Sequence, residues 1–187
     1  AASADPLASV RNSTKAACST TLETVMLLAH QSSPEAGVSE FQGQARARFG
    51  LAAAHPAVRE TAALMQHGFG YTELARLSTF MSAAPHFLLM DSDELKELAA
   101  LLPADDTRFN LDRLHGYAKL VREFYWDWHV GRFLRGVVPS YQQAVRRPLP
   151  AGLPAGAKVL VSPMAPPGRL EFERRTPRPV SYVVLGL

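Results

Sequence analysis

Apolar side chains recur every three or four residues through most of residues 20–147, which predicts a series of amphipathic helices. We expect the first helix to begin at Thr20 as its N-cap, with Glu23 three positions later completing a capping box. Similar helical patterns follow at residues 38–50, 56–67, 71–84, 91–102, 111–130 and 133–145. Residues 20–147 are therefore predicted to form a helical domain.

The pattern changes after Arg147. Residues 148–157 contain three prolines and two glycines, a composition typical of a linker. Residues 158–187 then contain three strand-like stretches, KVLVS, the alternating RLEFER and the almost wholly apolar VSYVVLGL. Residues 1–19 are small and polar, and are predicted to form a flexible N-terminal arm. The predicted fold class is mainly α, with a multi-helix N-terminal bundle followed by a short β-rich C-terminal segment, and thus α+β overall.

Composition and charge narrow the functional classes. The chain has 187 residues, 47% of them hydrophobic, and no apolar run approaches the about 20 residues that span a bilayer. From Gly131 onward nine Lys and Arg stand against two Glu, a formal charge of +7, so residues 1–130 carry −4 of the overall +3. Prolines and apolar stretches separate these basic residues, which argues against nucleic-acid binding and indicates a basic surface that faces solvent or a partner segment.

The N-terminus and the cysteine content bear on localisation. The opening AASADP resembles what remains after a signal peptidase cuts at a small-residue site, so a mature secreted or periplasmic chain is the expectation. Cys18 is the single cysteine, which excludes an intrachain disulfide, and no basic residue adjoins it to activate the thiol.

Motifs that carry chemistry are missing from the sequence. None of the six histidines lies in H-E-x-x-H, and the chain has neither a G-x-S-x-G elbow nor a P-loop. The acidic clusters at 91–94 and 105–106 lack the ligand spacing of a calcium loop and are expected to serve helix N-termini and solvated loops. A serine, histidine and aspartate triad assembled from distant positions is a further alternative, which the sequence does not test.

The stretch EFYWDWHVGRFL at 123–134 contains five aromatic residues, an aspartate and a histidine within twelve positions. On a helix, Leu120, Phe124 and Trp128 fall on one face, a spacing typical of core residues. Asp127 and His129 are expected at the rim of that core, in hydrogen-bonding reach of a neighbouring loop. The stretch is therefore interpreted as a buried helix face rather than as an active site.

Two segments resemble a family of secreted bacterial proteins that is defined by a domain of unknown function. That family is assigned to the zinc metallopeptidases of the gluzincin type. Residues 55–82 resemble its HPaV…GfgYd segment, and residues 124–141 resemble its FyxD…F…Y segment. With 22–31 in the place of an early helix, the likeness spans about residues 22–145. The matching signature positions are His55, Pro56, Gly68, Tyr71, Phe124, Tyr125, Asp127, Phe133 and Tyr141, and we expect them to be structural.

The resemblance implies zinc-dependent peptide hydrolysis, with the H-E-x-x-H motif downstream of a strand region like 158–187. That motif is missing from this sequence, so no catalytic, cofactor-binding or metal residue is assigned, and zinc is expected only in the complete protein. The chain is interpreted as a non-catalytic helical lobe, whose partner is a companion or C-terminal catalytic segment and whose complete protein acts on a peptide or protein substrate. The alternative is a free-standing helical protein-interaction module with a basic C-terminal docking segment.

Overall fold

The computed structural model describes residues 5–32 and 39–186 and has an α+β fold. Eight α-helices and a four-stranded mixed sheet make up this part of the chain, and a 3-10 helix, Gly50–Ala54, joins the second helix to the third. The helices are α1 Thr20–Ser32, α2 Glu40–Phe49, α3 Pro56–Gln66, α4 Tyr71–Ser78, α5 Asp93–Ala99, α6 Thr107–Asp127, α7 Val130–Gly136 and α8 Val138–Val145. The strands are β1 Ala16–Ala17, β2 Lys158–Val161, β3 Gly168–Arg174 and β4 Val180–Gly186.

The sheet has the order β1-β2-β4-β3. β1 and β4 both run parallel to β2, while β3 forms an antiparallel hairpin with β4 in which Leu170 lies opposite Val184. The apolar β4 occupies a central position, as its composition predicts, with Val183 and Val184 fully buried. The three predicted C-terminal strands are thus present, joined by a strand from the other end of the chain.

The N-terminal part differs from its prediction. The prediction that residues 1–19 form a flexible arm is wrong for residues 5–19, while residues 1–4 lie outside the described residues. Leu7 and Val10 are buried, and Ala16 and Ala17 pair with Val159 and Leu160. The small polar composition concealed this strand because only the pairing with β2, far along the chain, fixes its conformation.

One cluster of buried apolar residues runs through both the helices and the sheet. It includes Leu22 and Met26 of α1, Leu114 of α6 and Val159 of β2, so the helical bundle and the C-terminal strands share a core. The start of α1 also differs from its prediction, because the backbone N–H of Leu22 is bonded to the side chain of Ser19 rather than to a Thr20 cap. The carboxylate of Glu23 consequently does not close a capping box.

The aromatic stretch forms the end of α6 and the turn into α7. Phe124 and Tyr125 are buried, as the core interpretation requires, but Trp126 is 56% exposed and Trp128 is only partly buried. The helix ends at Asp127 instead of continuing to Val130, because His129 adopts the left-handed conformation at φ 50°. None of the helices in the described ranges combines the length and the apolarity that crossing a membrane requires.

Candidate functional site

His55 and Asp127, 72 positions apart in the sequence, are bonded to each other. The Nε2 atom of His55 lies 3.0 Å from Oδ2 of Asp127, and its Nδ1 atom accepts the backbone N–H of Ala57 at 3.0 Å. Because Nδ1 is an acceptor, Nε2 carries the ring proton and donates it to the carboxylate. The imidazole therefore connects the start of α3 to the end of α6, and both of its nitrogens serve that connection.

The aromatic signature residues pack around this connection. The ring of Phe124 lies edge-on to His55 at 5.4 Å and also meets Phe49, which in turn contacts Phe133 at 5.1 Å. Phe41 joins the set by edge contacts with Phe133 and with Tyr141. These rings bring α2, α6, α7 and α8 together, since edge-to-face aromatic pairs stabilise a packed arrangement beyond the area that they bury.

The remaining signature residues shape local turns and contacts. Pro56 occupies the first turn of α3, where its missing N–H leaves no partner unsatisfied, and Gly68 follows that helix at φ 108°, a conformation that favours glycine. Tyr71 begins α4, and the ring of Tyr125 packs on Phe87 at 5.2 Å. That the signature positions are structural stays a prediction.

A second polar cluster lies inside the protein around Glu23. The sequence had predicted that the side chain of Glu23 would complete a capping box at the start of α1. Its Oε2 accepts the hydroxyl of Tyr141 at 2.5 Å, its Oε1 accepts the hydroxyl of Ser162, and the backbone N–H of Met164 is a third donor. Glu23, Tyr141 and Ser162 are each at most 1% exposed. The cluster joins α1 and α8 to the end of β2.

Burial determines the charge of this cluster. It raises the pKa of Glu23 to about 7, although the hydrogen bonds from Ser162, from Tyr141 and from Met164 act in the opposite direction. Burial, followed by the proximity of Glu23, also raises the pKa of Cys18. Ser162 and Cys18 lie in the interior, and among the described residues no histidine is bonded to either of them.

Glu94 and Glu97 of α5 contact the residues near the end of β3. The carboxylate of Glu94 accepts the backbone N–H groups of Arg175 and Thr176, and it lies 3.6 Å from the guanidinium of Arg174. Burial alone would raise the pKa of Glu94, but these hydrogen bonds, that of the Thr176 hydroxyl and the charge of Arg174 lower it to about 2. Glu97 pairs with Arg175 at 2.7 Å.

These contacts revise two expectations. Glu94 is a buried anchor for the β3–β4 turn, whereas the sequence suggested only a helix N-terminal charge. Arg174 and Arg175, part of the basic C-terminal surface, already contact acidic residues of this chain. Glu94 and these arginines stand in separate segments of the sequence, and their spacing along the chain did not identify them as partners.

An open groove lies at the carboxyl ends of β2 and β4. It has a volume of about 310 Å³, and Pro148, Leu149, Pro150, Val161 and Leu185 supply apolar walls. Arg147 and Arg169 bring positive charge to its rim, and Arg147 also lines an adjoining, more polar groove beside α2 and α8. This shape and charge suit an apolar side chain next to a carboxylate, and we call it the Arg147 groove.

The zinc ion that the resemblance implies requires a group of ligand side chains that lie close together. Within residues 5–32 and 39–186, no three His, Cys, Asp or Glu side chains come together in a group that could hold a metal ion. The two histidine–carboxylate contacts, His55 with Asp127 and His115 with Asp91, supply one pair each. The described residues therefore do not fit a zinc centre by themselves, since such centres use three or four protein ligands.

Comparison of the chain with models of protein families, with curated proteins and with solved structures found no match.

Proposed function

We propose that this chain is a non-catalytic helical lobe that binds a polypeptide segment in the Arg147 groove, and that it corresponds to the N-terminal part of the zinc metallopeptidases it resembles. The observation that carries the proposal is the groove itself. Apolar walls from Leu149, Val161 and Leu185 stand beside the cationic Arg147, and this combination is complementary to a peptide with an apolar side chain next to a carboxylate.

The reactive side chains support a binding role rather than a catalytic one. Both nitrogens of His55 are engaged, Glu23 and Ser162 are enclosed, and in the described part of the chain no histidine ring is bonded to a serine hydroxyl. A catalytic group needs to be within hydrogen-bonding reach of a bound substrate, and these groups face other parts of the protein.

Peptide binding is tested with a fluorescent peptide that ends in leucine with a free carboxylate, and with the same peptide amidated at its C-terminus. We expect the free acid to bind more tightly, and Arg147→Ala to raise its Kd about tenfold, because one charge-assisted contact is lost. Arg146→Ala is the matched control, since Arg146 is the exposed neighbouring arginine and does not line the groove. Equal Kd values for the two variants would refute the proposed site, and cleavage of the peptide would refute the non-catalytic assignment.

The relation to a peptidase is tested separately by measuring the intact mass and the metal content of natively purified protein. A companion or continuous polypeptide carrying H-E-x-x-H, with about one zinc per complex, is the expected result. A metal-free species of 20.4 kDa that still binds peptide would favour the alternative, a free-standing interaction module. Its basic docking surface would then be the Arg147 groove, because Arg174 and Arg175 contact the protein's own acidic residues.

A further inference from the structure

The more polar groove beside α2 and α8, which we call the polar groove, continues the Arg147 groove. It has a volume of about 340 Å³, and Ala144 and Arg147 line both grooves. The start of α2, the exposed side of α8 and Pro163 supply its other walls. A peptide whose carboxylate lies at Arg147 and whose apolar side chain lies in the Arg147 groove can therefore extend into the polar groove. Because an extended chain advances about 3.4 Å per residue, the polar groove then receives the one or two residues before the apolar end.

Side-chain contacts hold the walls of the polar groove in place. The amide of Gln42 in α2 donates to the carbonyl oxygen of Met164, in the turn after β2, at 3.4 Å. The ring of Phe41 packs edge-on against Tyr141 of α8 at 5.3 Å, and Tyr141 in turn donates to the buried carboxylate of Glu23. The start of α2, α8 and the end of β2 are thus fixed to one another. A groove with walls already in place loses little affinity to ordering when a ligand binds.

Glu40 brings a negative charge to the polar groove. Among the described residues that line the two grooves, it is the acidic one. The capping box of α2 is made by Ser39 and Gln42, so Glu40 takes no part in it although it is the first residue of the helix. Glu40 is exposed, and no hydrogen bond or ion pair engages its carboxylate in the described part of the chain. The carboxylate is therefore available to a ligand.

The charge along the two grooves changes sign. Arg147 and Arg169 line the Arg147 groove, whereas Glu40 lies at the far wall of the polar groove from the sheet. A complementary peptide has a carboxylate and an apolar side chain at one end and a cation shortly before them. The overall formal charge of +3 by itself favours an acidic peptide, so a preference for a basic one would have to come from Glu40.

From these charges we infer that the polypeptide in the Arg147 groove carries lysine or arginine within the two residues before its apolar C-terminal residue, and that Glu40 selects for it. This inference rests on the proposed function, since it requires the carboxylate of the peptide at Arg147. The other polar side chains of the groove are neutral. Gln44, Ser140 and Gln143 can exchange hydrogen bonds with the backbone of the same peptide residues without discriminating among their side chains.

The inference is tested with two fluorescent peptides that differ only in ending in Lys-Lys-Leu or in Glu-Glu-Leu, both with a free C-terminal carboxylate. At low ionic strength we expect the lysine peptide to bind the unmodified chain about fivefold more tightly, which is the upper range for an exposed ion pair. Glu40→Lys should reverse the order of the two Kd values, and Glu40→Gln should abolish the preference for lysine.

Asp105→Lys is the matched control. It makes the same change of charge as Glu40→Lys, at an exposed loop position that lines neither groove, and it should keep the order of the two Kd values. Circular dichroism of each variant checks that the fold is retained, and Glu40→Gln serves as the milder change because a lysine at the start of a helix opposes the helix dipole.

The outcomes separate this inference from the proposed function. If both peptides bind the unmodified chain equally and Arg147→Ala weakens both, the role of Glu40 is overturned and the Arg147 groove stands as the peptide site. A preference for lysine that survives in Glu40→Lys, or a preference for glutamate in the unmodified chain, overturns the role of Glu40 in the same way. If neither peptide binds in a manner that depends on Arg147, the proposed function fails, and this inference fails with it.

Discussion

Replacing Glu23 with glutamine tests whether the buried cluster places a protonatable carboxyl between α1, α8 and β2. The substitution keeps the shape of the side chain but removes its titration. Its amide oxygen can still accept a hydrogen bond from Tyr141 or Ser162, whose hydroxyls can also turn to accept from the amide. The expected effect is therefore a change in how stability depends on pH, rather than a collapse of the fold.

The direction of this change follows from the raised pKa. In the unfolded chain the carboxyl titrates near 4.5, and in the folded protein near 7, so between these values the folded state holds a proton that the unfolded state has released. Raising the pH through that interval thus removes stability contributed by Glu23, and above pH 7 the contribution is constant. At about 1.4 kcal/mol per pH unit, the interval amounts to about 3 kcal/mol.

The measurement is urea unfolding of the unmodified chain and of Glu23→Gln at several pH values from 4 to 8. Since the other titrating groups are common to both proteins, the difference between their unfolding free energies isolates Glu23. We expect the unfolding free energy of Glu23→Gln, taken relative to that of the unmodified chain, to rise by about 3 kcal/mol as the pH rises from about 4.5 to 7. A difference that stays constant over this range would refute the buried, proton-holding carboxyl.

Five further substitutions test other contacts. Glu94→Gln should destabilise the protein at neutral pH and lose this effect as the pH falls from about 4.5 towards 2, because the lowered pKa of Glu94 makes its contribution to stability depend on pH in the opposite direction to that of Glu23. Acid titration followed by circular dichroism measures this loss. Trp128→Ala should cost about 2 kcal/mol in urea unfolding because the ring is partly buried, whereas His129→Ala, at an exposed position, should change stability little. His55→Ala should lower the unfolding free energy by about 1 kcal/mol through the lost cap of α3, and Asp127→Asn by less, because that carboxylate is largely exposed; equal losses would contradict this division.

The sequence predicted the features that depend on local spacing. The apolar periodicity located α1 to α6 but placed α7 and α8 in a single stretch at 133–145, and alternation located β3, since each pattern reflects one buried face. The sequence did not predict β1, whose two alanines carry no strand signal and depend on β2 for their pairing. Segment composition reveals which residues are apolar, but not which distant segment will cover them.

In the candidate site, too, the sequence predicted local patterns but not partners that are distant along the chain. The family resemblance drew attention to His55 and Asp127, and the structure brings the two side chains together. Glu23 was assigned to a capping box because that pattern is local, whereas its actual partners, Tyr141 and Ser162, lie 118 and 139 positions away. The Arg147 groove was also invisible in the sequence, because its walls come from a proline-containing connection and from the ends of two separate strands.

The parallel pairing of β1 with β2 has a consequence for the order of folding. A ribosome that has released residues 1–147 has delivered all eight helices of the described residues, yet Ala16 has no strand to pair with and Glu23 has no Ser162 to donate to it. Contacts this distant in sequence form slowly, because a long loop must close before they are made. The helices are therefore expected to remain a loosely packed intermediate during synthesis, until β2 arrives to pair with β1 and Ser162 supplies a donor to the buried carboxyl.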